Sequence, residues 1–109
     1  MSQIQLSNLE TIPGTKITKH LGLVQGNTVR AKHLGRDILS GLKNIVGGEL
    51  HAYTELLTES RQQSTSRMMD EARALGANAI ICVRYSTSSV SPGASELYAY
   101  GTAVVVEPL

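Results

Sequence analysis

The feature that most constrains this chain is a long segment without helix-breaking residues. From Glu49 to Leu75 neither glycine nor proline occurs, and Gly76 follows directly. A glycine just past the last turn is a common helix C-terminus, and a glutamate in the first turn complements the helix dipole. The pattern predicts one helix of about 40 Å. The chain would enter it through a sharp turn at Gly47 and Gly48.

Strands are predicted on both sides of this helix, because β-branched and alternating polar residues flank it. Residues 15–32 form one long strand or two short ones, with a break or bulge expected at Gly26-Asn27. Residues 77–85 and 96–106 form two more strands. We expect these two to pair antiparallel as a hairpin with a wide loop at 86–95.

The remaining segments add no strand to this prediction. Residues 1–14 are a polar lead that ends in a turn, and residues 33–48 suit a short helix or an ordered loop. The fold class that follows is α+β, a single domain over residues 1–109 with the order β-α-β-β. One long helix packs across a small antiparallel sheet. A helix longer than the strands, together with two open sheet edges, favours a homo-oligomer.

Charge and cysteine content exclude several classes of function. The formal net charge of +1 argues against non-specific nucleic-acid binding. A single cysteine allows no internal disulfide and is typical of a reducing compartment. No apolar run approaches the ~20 residues that cross a membrane, and no secretion signal is visible. We therefore expect a cytoplasmic protein with no nucleic-acid and no membrane partner.

Several motifs together resemble the YbjQ-like family. They follow in order along nearly the whole chain: Gly22-Leu23-Val24, Gly35-Arg36-Asp37, Ile45-Val46-Gly47-Gly48-Glu49-Leu50, Tyr53-Thr54-Glu55-Leu56-Leu57, Leu75-Gly76-Ala77-Asn78-Ala79-Ile80 and Ala99-Tyr100-Gly101-Thr102-Ala103-Val104. That family is uncharacterised and carries the label "putative heavy-metal-binding". The resemblance implies a subunit similar to the dodecin type that assembles as a ring, with a homopentamer favoured.

The residues themselves offer few ligands for a metal ion. Soft metals are held by clustered thiolates and imidazoles, whereas the only thiol here is Cys82, in an apolar strand. On the helix, His51 and Glu55 are spaced i, i+4, which suits either a divalent ion or a solvated polar face. In a symmetric ring, one Cys82 or one histidine from each subunit can converge near the axis. The candidate cofactor is thus a divalent or soft metal ion, with Cys82, His51 and Glu55 as candidate ligands.

The middle of the predicted helix is polar where an apolar stripe should continue. No apolar residue occurs from Ser60 to Arg67, so the stripe passes through Ser60, Arg61 or Ser64. This stretch projects into solvent, packs on a neighbouring subunit, or lines a polar pocket in which Arg61 or Arg67 faces an anion. We expect Arg61 to be partly buried against a carboxylate, either Glu96 or one from an adjacent subunit.

No catalytic motif occurs in the chain, so we expect a non-enzymatic oligomer that binds a small ligand or a metal ion. One alternative is a structural or protein-interaction module with no ligand of its own. Another is a small-molecule enzyme with its site between subunits. The candidate ligand-binding residues are Glu49, Tyr53, Arg61, Arg67 and Glu96.

Overall fold

The computed structural model describes residues 3–31, 51–91 and 94–109. Its elements are strand β1 at Gln5–Leu6, strand β2 at Thr15–Ala31, helix α1 at His51–Ala74, strand β3 at Ala79–Ser91 and strand β4 at Ala94–Pro108. The predicted turn at Gly47 and Gly48 and the predicted helix or loop at 33–48 lie outside the described residues.

The four strands form one sheet in the order β1-β3-β4-β2, and helix α1 packs across one of its faces. Strand β4 pairs antiparallel with both β2 and β3, whereas β1 pairs parallel with β3. The α+β class and the order β-α-β-β after β1 are confirmed. The prediction of a purely antiparallel sheet was wrong, because it lacked β1, which pairs parallel with β3. A strand of two residues is too short to show an alternating pattern in the sequence.

The hairpin of β3 and β4 is longer than predicted. Strand β3 continues to Ser91 and β4 begins at Ala94, so most of the wide loop expected at 86–95 is paired strand. Ser86 lies opposite Tyr98 and Ser88 opposite Glu96. Serine-rich sequence has low strand propensity, and here the pairing with β4 overrides it.

Strand β2 is one continuous strand. The prediction of a break or bulge at Gly26-Asn27 was wrong, because the irregularities of β2 lie elsewhere. The register with β4 shifts between Ile17 and Lys19 and again between His20 and Gly22. Gly22 adopts φ +111°, a conformation that glycine reaches without strain. Gly26 pairs regularly with Ala99 on β4.

Gly26 instead marks the point where α1 crosses β2. A Cβ atom there would lie 2.8 Å from Arg67 Cβ, and closer still to the carbonyl oxygen of Ser64 and the amide nitrogen of Met68. Only glycine lets a strand and a helix backbone meet at this separation. The crossing fixes which side chains of α1 lie beside β2.

Helix α1 has 24 residues, about 36 Å. It ends as the sequence predicts, because Gly76 adopts φ +88° and closes the last turn. Gly76 N donates to Arg73 O at 2.9 Å and Ala77 N donates to Ala72 O at 3.0 Å, the two bonds of a Schellman motif.

The buried stripe of α1 runs through every fourth residue, namely Ser60, Ser64, Met68 and Ala72. The polar half of this stripe packs on the chain's own sheet. This arrangement was not among the three explanations predicted for the polar middle of the helix. Ser64 Oγ donates to Leu97 O at 2.9 Å and lies 3.2 Å from Thr28 Oγ1. Thr28 Oγ1 also donates to Ser60 O at 3.4 Å. Small hydroxyl side chains thus keep the helix close to the sheet while satisfying buried polar groups.

The main core lies between α1 and the sheet, and a smaller cluster covers one end of the opposite face. Met68, Ile80 and Val24 are fully buried in the main core. Ile12 covers the smaller cluster, which also contains Ala79, Ile81, Val104 and Val106. Within residues 3–31, 51–91 and 94–109, no helix combines the length and hydrophobicity of a membrane span.

Candidate functional site

The sheet face that points away from α1, here called the outer face, carries the candidate site. Successive side chains of a strand point to opposite faces. On β2, Val24 and Thr28 are buried towards α1, whereas Leu23, Gln25 and Asn27 are exposed on the outer face. The cluster under Ile12 covers only one end of this face. The end nearer the β3–β4 hairpin carries mainly polar side chains.

A depression of about 360 Å³ lies at this end of the outer face. Three strands contribute two residues each, and the lining consists of Gln25, Asn27, Ser86, Ser88, Glu96 and Tyr98. The strand register brings them together, because Tyr98 lies opposite both Asn27 and Ser86, and Glu96 lies opposite Ser88. We call it the outer-face depression.

Glu96 is the one charged side chain among the described residues that line the depression. It is half-buried, and Asn27 Nδ2 donates to its Oε2 at 2.9 Å. Ser88 Oγ donates to Oε1 at 3.5 Å. A carboxylate offers about four acceptor positions, so both oxygens keep capacity for a further donor. The depression therefore presents one oriented negative charge among neutral amides and hydroxyls.

The wall beside Glu96 is aromatic. The rings of Tyr98 and Tyr100 lie with centroids 5.5 Å apart at an interplanar angle of 32°. Tyr98 lines the depression, and the contact with Tyr100 restricts its orientation. An aromatic face beside a carboxylate suits the binding of a cation.

Arg67 lies next to this site but outside its lining. The guanidinium donates from Nη1 to the backbone oxygen of Asn27, the residue whose side-chain amide binds Glu96. Of the five predicted ligand-binding residues, Glu96 lines the depression and Arg67 contacts it indirectly.

In the single chain the side chain of Arg61 is exposed, so the expected burial against Glu96 does not occur there, whereas contact with a carboxylate of an adjacent subunit stays a prediction. The stripe of α1 passes through Ser60 and Ser64 instead. Because successive helix residues are about 100° apart, burying Ser60 turns Arg61 away from the sheet. Glu96, its proposed partner, accepts its hydrogen bonds from Asn27 and Ser88.

Three other predicted residues fall where the structure describes no side chain. Glu49 lies outside the described residues, and of His51 and Tyr53 only the backbone, in α1, is described. Glu55 is exposed on α1, on the side of the sheet opposite the depression. These assignments stay predictions.

Cys82 occupies a bulge in β3, where the register with β4 shifts between Ile81 and Arg84. It has φ +56°, and its amide donates to Leu9 O at 2.9 Å. The half-buried side chain packs against the cluster under Ile12. Over the described part of the chain, no three residues of the His, Cys, Asp and Glu types are grouped to hold a metal ion.

Sequence reasoning missed five lining residues of the depression: Gln25, Asn27, Ser86, Ser88 and Tyr98. Their alternation along the strands was a usable signal, because residues two apart on a strand lie on the same face of the sheet. The serines were missed because that segment was predicted to be a loop.

Taken together, fold and site define a small α+β protein with one helix across a mixed sheet and a polar depression on the outer face. The chain belongs to the YbjQ-like family, since residues 4–107 match the family model described as "Putative heavy-metal-binding". The predicted resemblance is thereby confirmed.

Several relatives with high identity carry the name UPF0145 protein. A UPF0145 protein of Hahella chejuensis is 64% identical over 102 residues, covering 94% of this chain and 98% of that protein. A UPF0145 protein of Thermus thermophilus is 54% identical over 106 residues, covering 97% and 93% respectively. Both align with nearly the full length of this chain.

A solved structure shares the fold. The crystal structure of a DUF74-family protein of unknown function from Pediococcus pentosaceus superposes with a TM-score of 0.63. The alignment covers 95% of this chain and 98% of that one at 14% sequence identity. At this identity the similarity supports the arrangement of helix and sheet alone.

Proposed function

We propose that this protein is a non-enzymatic, homo-oligomeric ligand-binding protein of the cytoplasm whose ligand occupies the outer-face depression. The observation that carries the proposal is the placement of Glu96. Its carboxylate is half-buried in a concave polar site and held by Asn27 Nδ2 at 2.9 Å. Concave sites with a few oriented polar groups are the usual form of small-molecule sites.

The chemistry of the lining selects a small polar ligand that carries hydrogen-bond donors and is neutral or positively charged. An anion would meet the negative charge of Glu96 without a described cation in the lining to balance it. A protonated amine would pair with the carboxylate and lie against the ring of Tyr98. This ligand differs from the anion that one of the three explanations of the polar helix middle placed beside Arg61 or Arg67.

The donor set in the depression does not fit a soft heavy metal. It consists of one carboxylate, two amides and three hydroxyls, all oxygen or amide ligands. Such groups suit hard ions such as Mg²⁺, Mn²⁺ or Ca²⁺, whereas soft metals require thiolate or imidazole. Cys82 packs in the cluster under Ile12 rather than in this lining. A soft-metal site would therefore need residues from several copies.

The family resemblance supports association between copies and favours a ring, with a pentamer as the leading stoichiometry. Exposed apolar side chains such as Leu57, which is 55% exposed on α1, are available for contacts with another chain. Such side chains equally favour the second candidate function, a protein-interaction module without a ligand.

A thermal-shift experiment separates the two candidates. The parent, Glu96→Gln and the exposed control Glu59→Gln are each melted with putrescine, Mg²⁺, Mn²⁺, Ca²⁺ or Zn²⁺. We expect at least one amine or hard cation to raise the melting temperature of the parent and the control, and not of Glu96→Gln, because a bound ligand stabilises the folded state. Equal shifts in all three proteins would contradict the assignment of Glu96. No shift with any probe would favour the interaction module.

A further inference from the structure

Among the strands that the structure describes, β2 lies at one edge of the sheet, and it has 17 residues. One side of it pairs with β4, so the amides and carbonyls on the other side lie along the edge of the sheet. Long edge strands invite pairing with another chain, and proteins commonly block them with charged side chains.

Two side chains of α1 bind backbone groups at this edge. Gln25 N donates to Glu71 Oε1 at 3.3 Å, and Arg67 Nη1 donates to the backbone oxygen of Asn27. Arg67 and Glu71 are four residues apart and therefore lie on one side of the helix. We call this pair the clasp. It supplies one acceptor and one donor, as a neighbouring strand would.

The crossing at Gly26 positions the clasp. Gly26 lies between the two clasped residues, and a Cβ atom there would approach Arg67 Cβ to 2.8 Å. The missing side chain lets α1 lie against β2, so that Arg67 and Glu71 reach its edge. The clasp is consequently tied to the most closely packed contact between helix and sheet.

The clasped groups are the ones that a second copy of the same edge would use. If two β2 strands paired antiparallel about a twofold axis at Gly26, Gln25 of each copy would lie opposite Asn27 of the other. Facing residues of a hydrogen-bonded antiparallel pair exchange N–H and C=O bonds. The Gln25 N–H and the Asn27 carbonyl would then bind each other across the axis.

The same register brings together the exposed apolar residues of the edge. Leu23 of one copy would lie opposite Val29 of the other, since both are three positions from Gly26. They are 68% and 52% exposed in the single chain and lie on the same face of β2. Facing apolar side chains stabilise antiparallel strands. The hydrogen-bonding groups of Gln25 and Asn27 and the apolar side chains of Leu23 and Val29 therefore favour the same register between two β2 strands.

We propose that residues 23–29 of β2 form a strand-pairing surface for a second copy of this chain, which the clasp of Arg67 and Glu71 keeps closed. Opening the clasp frees the Gln25 N–H and the Asn27 carbonyl, and two copies then join through their β2 edges. The proposal concerns the sheet edge and does not depend on a ligand in the outer-face depression.

The test is the mass of a variant without the clasp. Arg67→Ala combined with Glu71→Ala removes both groups and leaves the net charge unchanged. Asp70→Ala combined with Arg73→Ala is the matched control, because it removes an exposed ion pair of 2.9 Å from the same helix. Light scattering at equal protein concentration compares both with the parent, whatever the mass of the parent is.

The clasp variant should show at least twice the mass of the parent, and the control should show the mass of the parent. Adding Leu23→Lys to the clasp variant should restore the parental mass, because it places a charge opposite Val29. A clasp variant at the parental mass would overturn the proposal, as would an equal increase in the control. If the clasp variant that also carries Leu23→Lys still has a raised mass, the proposed register, with Leu23 opposite Val29, is wrong. If the double variant loses its helical circular dichroism, the single variant Glu71→Ala takes its place. It frees the Gln25 N–H, and its mass relative to the parent is expected to change in the same way.

Discussion

Gly26 lies where β2 crosses α1, and no larger residue fits there. Gly26→Ala would press a methyl group against the Ser64 carbonyl and the Met68 amide, which are backbone atoms and yield only if the helix moves. We expect a loss of about 1–3 kcal/mol in the free energy of unfolding, the usual cost of overpacking. Urea denaturation measures it, and an unchanged midpoint would contradict the close crossing.

Gly76 gives a useful comparison, because its constraint is conformational. It adopts φ +88°, and no atom would lie within 4 Å of an added Cβ. Gly76→Ala should cost about 1–2 kcal/mol through the left-handed conformation alone. Gly76→Asn should recover part of that loss, because asparagine tolerates this region. At Gly26, by contrast, asparagine should be worse than alanine.

At the scale of elements, α1 shows how a polar helix face can be a packing face. Ser60 and Ser64 are buried on the sheet, whereas Arg61 between them is exposed. Arg61→Ala should therefore change the free energy of unfolding by less than about 0.5 kcal/mol. Ser64→Ala should cost about 1 kcal/mol, because it removes the hydrogen bond to Leu97 O. A larger effect at Arg61 than at Ser64 would show that Arg61 packs against another copy.

Sequence predicts these elements well where one local signal dominates. The helix is predicted because no breaker interrupts it and Gly76 ends it, and both signals are local. The two-residue β1 and the serine-rich end of β3 are missed, because pairing partners far away in sequence stabilise them. A break or bulge in β2 was predicted at Gly26-Asn27, because the sequence shows the missing side chain of Gly26 but not the helix that packs against it.

At the scale of the whole molecule, the described residues cover one face of the sheet with α1 and leave part of the other face open. Of the residues that line the outer-face depression, sequence predicted only Glu96. The others come from three strands up to about seventy residues apart, and their register is a tertiary property that no local pattern carries. The family resemblance and exposed apolar side chains such as Leu57 lead us to expect an oligomer, so light scattering should give a multiple of 11.7 kDa. A mass near 11.7 kDa at micromolar concentration would contradict that expectation.

Native mass spectrometry of the assembly isolated from cells tests the central claim, that Glu96 holds a ligand in the outer-face depression. Spectra under native and denaturing conditions give the number of 11.7 kDa copies and any additional bound mass. We expect the same bound mass per copy in the parent and in Glu59→Gln, and the loss of that mass in Glu96→Gln. Retention of that mass in Glu96→Gln, with the same number of copies, would contradict it.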